Sequence, residues 1–213
     1  MERPGDSELP LRERKKLQTK RRIKAVALEL LGESTYEEVT VEQIADRSDV
    51  SPSTVYRYFQ TKEGIFLWDE FDEAVLSDFT RHLRETDPIT ALTSAMADSL
   101  SETLDQDLDQ LARDYMALID RVPQLRQSFA VQIDEMRTAL AAEVGAAGWP
   151  ALDSAVFAGS MVGMFIGALE TWVSQAGVEP LSSVLERATR MIVGGFGTVF
   201  PGEEGIPGSS QPG

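Results

Sequence analysis

Cysteine is absent from the 213 residues, and histidine occurs once, at position 82. Without thiols there is neither a disulfide frame nor a thiolate metal site, and one imidazole cannot build a histidine metal cluster. The missing thiols fit a reducing compartment, so a cytoplasmic location is expected. His82 stands beside Arg81 on a polar helix face, where an imidazole is expected to be solvated. The chain also lacks a glycine-rich phosphate loop, a nucleophile elbow and any metal-spaced cluster, so neither an enzyme nor a cofactor is expected. The first ten residues, MERPGDSELP, contain no apolar run of the kind that marks a secretory leader. The longest uncharged run, Ser154 to Leu169, has sixteen residues, fewer than the roughly 18 to 20 a membrane span needs, and Asp153 and Glu170 bracket it. No membrane partner is expected.

Lysine is missing after Lys62, and this absence divides the charge. The net charge is −15, yet residues 1–62 hold 12 basic and 11 acidic side chains, whereas residues 63–213 hold 8 and 24. Eight of the early cations, Arg12, Arg14, Lys15, Lys16, Lys20, Arg21, Arg22 and Lys24, cluster against the single acid Glu13. That is an electrostatic footprint for phosphates. The acidic remainder would be repelled by a duplex and would orient the molecule on it, although an acidic surface serves solubility equally well.

The most informative stretch is TVEQIADRSDVSPSTVYRYFQTKEG, residues 40–64. Val41, Ile44 and Ala45 share one face at helical spacing, with Thr40 as a cap. Asp49 tolerates a left-handed turn, and Val50 plugs the apolar side after it. Ser51 caps a second helix with Pro52 in its first position, and Val55 and Phe59 pair at i, i+4. Ser53, Thr54, Tyr56, Arg57 and Tyr58 are left facing outward, as a helix reading a major groove requires. Two short angled helices serve many folds, and the pattern alone leaves a scaffold role open.

Residues 50–65, VSPSTVYRYFQTKEGI, preceded by Thr40-Val-Glu-Gln-Ile-Ala45, resemble the N-terminal DNA-binding domain of the TetR family of one-component transcriptional regulators. The likeness runs from about Thr19 to Phe66. It implies an all-helical homodimer with a helix-turn-helix domain and a C-terminal bundle, bound to double-stranded operator DNA and released by a small-molecule effector. It places phosphate and base contacts on Thr40, Pro52, Ser53, Thr54, Tyr56, Arg57, Tyr58 and Lys62. Two positions depart from the family pattern: Thr35 stands where a glycine usually precedes the aromatic at Tyr36, and Asp49 replaces the turn glycine. A β-branched residue in a left-handed loop is unusual, so the loop at Thr35 is expected to be shaped differently.

The expected organisation is a mobile basic arm (1–16), a helix-turn-helix domain (17–62), a ligand-binding and dimerisation domain (63–200) and a disordered Gly/Pro/Ser-rich tail (201–213). About nine helices are expected. Ile23, Ala27, Leu30 and Leu31 close a three-helix core. Thr61 starts one long helix expected to run to about Glu85, before Pro88. Amphipathic segments follow at 89–104, 108–122 and 123–144, then an apolar helix at 153–175 and a last one at 181–200. Ala155, Gly159, Gly163 and Gly167 repeat every fourth residue as a ridge for close helix approach. With Val184, Ala188 and Met191 they are the expected dimer interface, the alternative being a core helix in a monomer. The inward set Phe71, Val75, Met96, Leu100, Tyr115, Met116, Phe129, Ile133, Met136, Met161 and Met164 suits an adaptable pocket for a hydrophobic or aromatic effector, and equally an ordinary core.

Overall fold

A computed structural model of the chain describes residues 10–103, 108–175 and 178–194. Among these residues there are ten α-helices and no strand. The chain divides into two compact units, Met1–Val162 and Gly163–Gly213, each described by itself.

Helix α1 (Leu11–Glu33) begins directly after Pro10, whose carbonyl accepts from the Arg14 amide at 3.0 Å. The helix was expected from Leu17; nothing between Leu11 and Leu17 breaks it, so Arg12 to Lys16 are helical, and residues 1–9 of the expected arm lie outside the described residues. Helices α2 (Val41–Arg47) and α4 (Lys62–Leu67) pack on α1, and α3 (Pro52–Phe59) packs on α2 and α4. Ile23, Ala27, Ile44, Ala45, Ile65 and Phe66 are fully buried, with Val55 at 1 % exposure. Each large aliphatic or aromatic member contributes about 1.5 to 3 kcal/mol relative to leaving it in water.

The long fourth helix expected from Thr61 to about Glu85 is two helices, which raises the count from nine to ten. α4 stops at Trp68, whose φ −61° and ψ 123° are extended, and α5 runs over Glu70–His82. The break leaves the Leu67 and Trp68 carbonyls without helical partners, and other side chains take them. Tyr115 Oη donates to Leu67 O at 3.1 Å, Gln132 Nε2 to the same oxygen at 3.5 Å, and the Lys24 ammonium to Trp68 O.

Helix α6 (Pro88–Thr103) packs along α5. Its buried positions include Ala91, Ala95 and Ser99, small side chains at i, i+4 and i+8 that admit a close neighbour, beside the expected Leu92 and Met96. Helices α7 (Leu108–Arg121) and α8 (Pro123–Ala146) pair through a tight turn at Val122. Met116, Leu118, Ile119, Leu125, Leu140 and Val144 are buried there, while Leu111, at i−4 from Tyr115, is 49 % exposed.

Helix α9 (Ala151–Ser174) has 24 residues, and an 18-residue window of mean hydropathy 1.6 makes it long and apolar enough to cross a bilayer. The length argument against a span, built on sixteen uncharged residues, therefore fails, because the apolar window tolerates a charge inside it. In the first unit Phe157, Ala158, Met161 and Val162 are buried, and the Phe157 ring stacks on Phe79 at 6.3 Å. In the second unit Ala168, Leu169 and Trp172, and Leu181, Val184 and Leu185 of α10 (Leu181–Gly194), are buried, and Trp172 Nε1 donates to the Glu179 carbonyl at 2.7 Å. The expected extension of α10 to Phe200 and the tail from residue 201 lie outside the described residues.

Candidate nucleic-acid interface

Local hydrogen bonds fix α2 and α3 before any ligand is considered. Thr40 and Gln43 form a reciprocal capping box, with Gln43 N donating to Thr40 Oγ1 at 3.2 Å and Thr40 N to Gln43 Oε1 at 2.9 Å. Between the helices Asp49 sits at φ 52°, the Val50 amide returns to the Ala45 carbonyl at 3.0 Å, and the Asp49 amide to Asp46 at 3.1 Å. This six-residue closure is a Schellman ending with aspartate where glycine is usual. Thr35 needs no left-handed backbone. Its amide and hydroxyl both donate to Glu38 Oε2, at 3.0 and 2.9 Å, which shapes the loop another way.

Ser51 caps α3 by accepting from the Thr54 amide at 3.2 Å, and its hydroxyl lies 2.8 Å from that of Ser53 and 2.9 Å from that of Thr54. Three hydroxyls thus gather at the helix N-terminus, where unpaired amides favour an anion. Pro52, Ser53, Tyr56 and Arg57 are exposed, and Thr54 and Tyr58 half-buried. Arg57 lies over the Tyr58 ring at 5.0 Å and has no carboxylate partner among the described residues. Gly64 holds α4 against the end of α3: a Cβ there would come within 2.4 Å of the Phe59 carbonyl oxygen.

Lys62 is committed within the chain. Its ammonium donates to the carbonyls of Tyr36 and Val39 at 2.8 and 3.0 Å and lies 4.0 Å from the Tyr36 ring centroid. The eight-cation footprint is likewise smaller than its count. Lys20, at 5 % exposure, pairs with Glu73 at 2.5 Å, Arg21 pairs with Glu70 at 2.5 Å, and Lys24 donates to Trp68 O. Positions 20, 21 and 24 fall on the α1 face turned to the start of α5. Arg12, Lys15, Lys16 and Arg22 remain exposed and Arg14 half-buried.

Around that contact the electrostatics are strained. Burial, with Asp69 next in size, pushes Asp72 up to about 7, against the opposing pull of Lys24. Lys24 is itself lowered by burial. Burial and then Asp72 and Asp69 raise Tyr115, which keeps its hydroxyl a donor. A cleft of about 440 Å³ opens beside this region, lined by Tyr58, Phe59, Leu67, Trp68, Asp72, Val131 and Glu135 among others. A second, of about 320 Å³, lies between the Tyr36 loop and Val122. Neither is lined by the expected effector residues.

Of that effector set, Met96, Met116 and Met161 are buried, and Val75, Tyr115, Phe129, Ile133, Met136 and Met164 are half-buried. Tyr115 and Phe129 meet edge to face at 6.0 Å. The side chains of Phe71 and Leu100 lie outside the described residues. Of the expected dimer set, Ala155, Gly163 and Gly167 are exposed and Gly159 half-buried, with open space where a Cβ would stand on each glycine. Leu152 and Val156 beside them are 73 % and 59 % exposed. Ala188 and Met191 are half-buried, whereas Val184 is spent inside its own chain at 8 % exposure. His82 is not merely solvated: Nε2 lies 2.8 Å from Asp98 Oδ2, which Arg81 also contacts at 3.1 Å.

Residues 23–67 match the model of bacterial regulatory proteins of the tetR family, and residues 86–197, more than half of the chain, match that of the MftR C-terminal domain. The chain belongs to the tetR family. Among curated relatives, the TetR-type chain is 32 % identical over 142 residues to the HTH-type transcriptional regulator TcmR of Streptomyces glaucescens, a match covering 64 % of this chain and 63 % of that protein. Solved structures of similar shape include the fatty acid degradation regulator FadR of Bacillus halodurans, at 17 % identity and a TM-score of 0.47 over 83 % of this chain and 95 % of that one. Another is Thermus thermophilus FadR in complex with lauroyl-CoA, at 18 % identity and a TM-score of 0.47 over 89 % and 99 %. Likenesses this distant leave the fold assignment to the helices themselves.

Sequence reasoning placed the two short helices and their turn, but missed the side chains that hold the end of α4: Tyr115, Gln132 and Lys24 carry no motif. The one available signal was polar atoms at otherwise apolar helical positions, a tyrosine hydroxyl and a glutamine amide that must find partners when buried.

Proposed function

We propose that the chain is a DNA-binding transcriptional regulator, acting as a cytoplasmic homodimer that represses at an inverted-repeat operator and lets go when a small hydrophobic or aromatic molecule binds. The observation that carries this reading is α3. Its caps and apolar side are satisfied internally, while Ser53, Tyr56 and Arg57, which has no carboxylate partner among the described residues, face solvent. Pairing along the exposed ridge of α9 supplies the second copy, and two recognition helices then enter successive major grooves ~34 Å apart. The ridge, with Leu152 and Val156 beside it, is an apolar surface that asks for a protein partner. Half-buried Tyr115, Phe129, Ile133 and Met136 on α7 and α8 support an effector site of aromatic and flexible apolar walls.

The test is selection of duplexes from a random library by the purified protein. An inverted repeat bound selectively, with affinity falling steeply as salt rises, is the expected result. Equal binding to all duplexes, or none, would leave the helix-turn-helix a scaffold.

A further inference from the structure

The cleft of about 440 Å³ takes its walls from α1, the end of α3, the α4–α5 break with the start of α5, and one side of α8. Its volume is that of a site for a small organic molecule. Five of its sixteen lining residues are carboxylates, Glu63, Asp69, Asp72, Glu73 and Glu135, and Lys20 is the one base among them, so an anion is repelled. Acids at the start of α5 complement that helix's dipole and by themselves mark no ligand. Glu135, however, comes from α8, and the rings of Tyr58, Phe59 and Trp68 stand in the same lining.

The chain itself shows what those rings accept. The Lys20 ammonium lies 4.5 Å from the Trp68 ring centroid and 5.7 Å from that of Phe59, and pairs with Glu73 at 2.5 Å. Two rings and a carboxylate thus hold one ammonium, the arrangement by which a desolvated cation is recognised. That cation neutralises Glu73 alone. Asp72 and Glu135 have no hydrogen-bond or ion-pair partner among the described residues; Lys24 attracts Asp72 but donates to Trp68 O.

We propose that the cleft is a binding site for an organic monocation with a flat apolar body, which lies against Tyr58, Phe59 and Trp68 and places its charge by Asp72 and Glu135. Leu67 and Val131 complete the apolar lining. No residue of the expected effector set belongs to that lining, so this is a second site. It stands whether or not the chain binds DNA.

Titration of the full chain without DNA tests the site, at pH 8, above the value of about 7 at which Asp72 gives up its proton. The probes share one shape and differ in charge: N-methyl-4-phenylpyridinium, its uncharged parent 4-phenylpyridine, and the anion biphenyl-4-carboxylate. Calorimetry should find one cation per chain, bound at least about tenfold more tightly than either of the others. In a nitrogen–proton correlation spectrum the Trp68 indole signal, assigned by its loss in Trp68→Phe, should move during the titration while those of Trp149 and Trp172 stay. Equal affinity for the three probes, saturation with an unmoved Trp68 signal, or no saturation by about 1 mM cation overturns the proposal. Asp72→Asn with Glu135→Gln should weaken the cation at least about tenfold and leave 4-phenylpyridine within about twofold. Glu29→Gln with Glu42→Gln removes the same charge from exposed positions outside the cleft and should change neither. Equal losses in the two pairs would reduce the effect to the chain's overall negative charge and refute the site. Where the first pair compromises folding, Glu135→Gln alone, at an exposed position, carries the comparison, with about threefold weakening expected.

Discussion

Arg57 and Lys62 received the same assignment from the family pattern, and their surroundings separate them. Arg57 is exposed and has no carboxylate partner among the described residues, so Arg57→Ala should leave thermal stability unchanged. It should cost about 1 to 3 kcal/mol of operator binding and relax discrimination at one base pair, read by anisotropy across single-base operator variants. Lys62 already bonds two carbonyls of the loop before α2. Lys62→Ala should therefore weaken all duplexes alike and also lower the melting temperature, because two buried acceptors lose a charged donor. Asp72 allows a prediction in pH. Its folded value of about 7 lies above the ordinary 3.8, so the folded state holds the proton more tightly than the unfolded state does. Stability attributable to this group is present below about pH 4 and is lost as pH rises towards 7. Asp72→Asn should gain on the wild type over that interval and hold the gain at pH 8; parallel melting curves from pH 4 to 8 would show that Asp72 titrates normally.

At the scale of helices, the caps and turns were legible because their chemistry is local. Thr40, Ser51 and Thr61 each cap the helix they were expected to cap, and Asp49 takes the left-handed turn. The α4–α5 break was missed because apolar periodicity across it is intact, although Asp69 followed by the acidic first turn of Glu70, Asp72 and Glu73 is a helix-start signal. The three inward-facing cations of α1 were misread because nothing near Lys20, Arg21 or Lys24 in sequence announces Glu70 and Glu73 as their neighbours. Gly64 is where local sequence and packing meet. Gly64→Ala would drive a methyl into the Phe59 carbonyl, and α3 and α4 must separate to admit it. A loss of about 1 to 3 kcal/mol in chemical denaturation is expected, with operator affinity falling as well. Full stability would mean that the two helices can part freely.

For the whole molecule, the decisive surface is the face of α9 that carries Ala155, Gly159, Gly163 and Gly167. The opposite face, through Phe157, Met161 and Ala168, is buried, whereas Ala155, Gly163 and Gly167 of the ridge are exposed. Gly163→Leu puts a side chain into space that is open in one chain and that the proposed pairing would close. Monomers with near-native thermal unfolding are the expected outcome in sedimentation. A persistent dimer would place the contact elsewhere. The ridge itself was readable from its four-residue spacing, whereas Val184 was not separable from Ala188 and Met191 until its burial within the chain was seen.

The pairing of Lys20 with Glu73 and Arg21 with Glu70 has one more effect, at the level of ions. A side chain already neutralised by a carboxylate displaces no counterion when a duplex arrives. The decline of affinity with added KCl should therefore report six α1 cations per subunit at most, not eight, and replacing Glu70 and Glu73 with glutamine should steepen it.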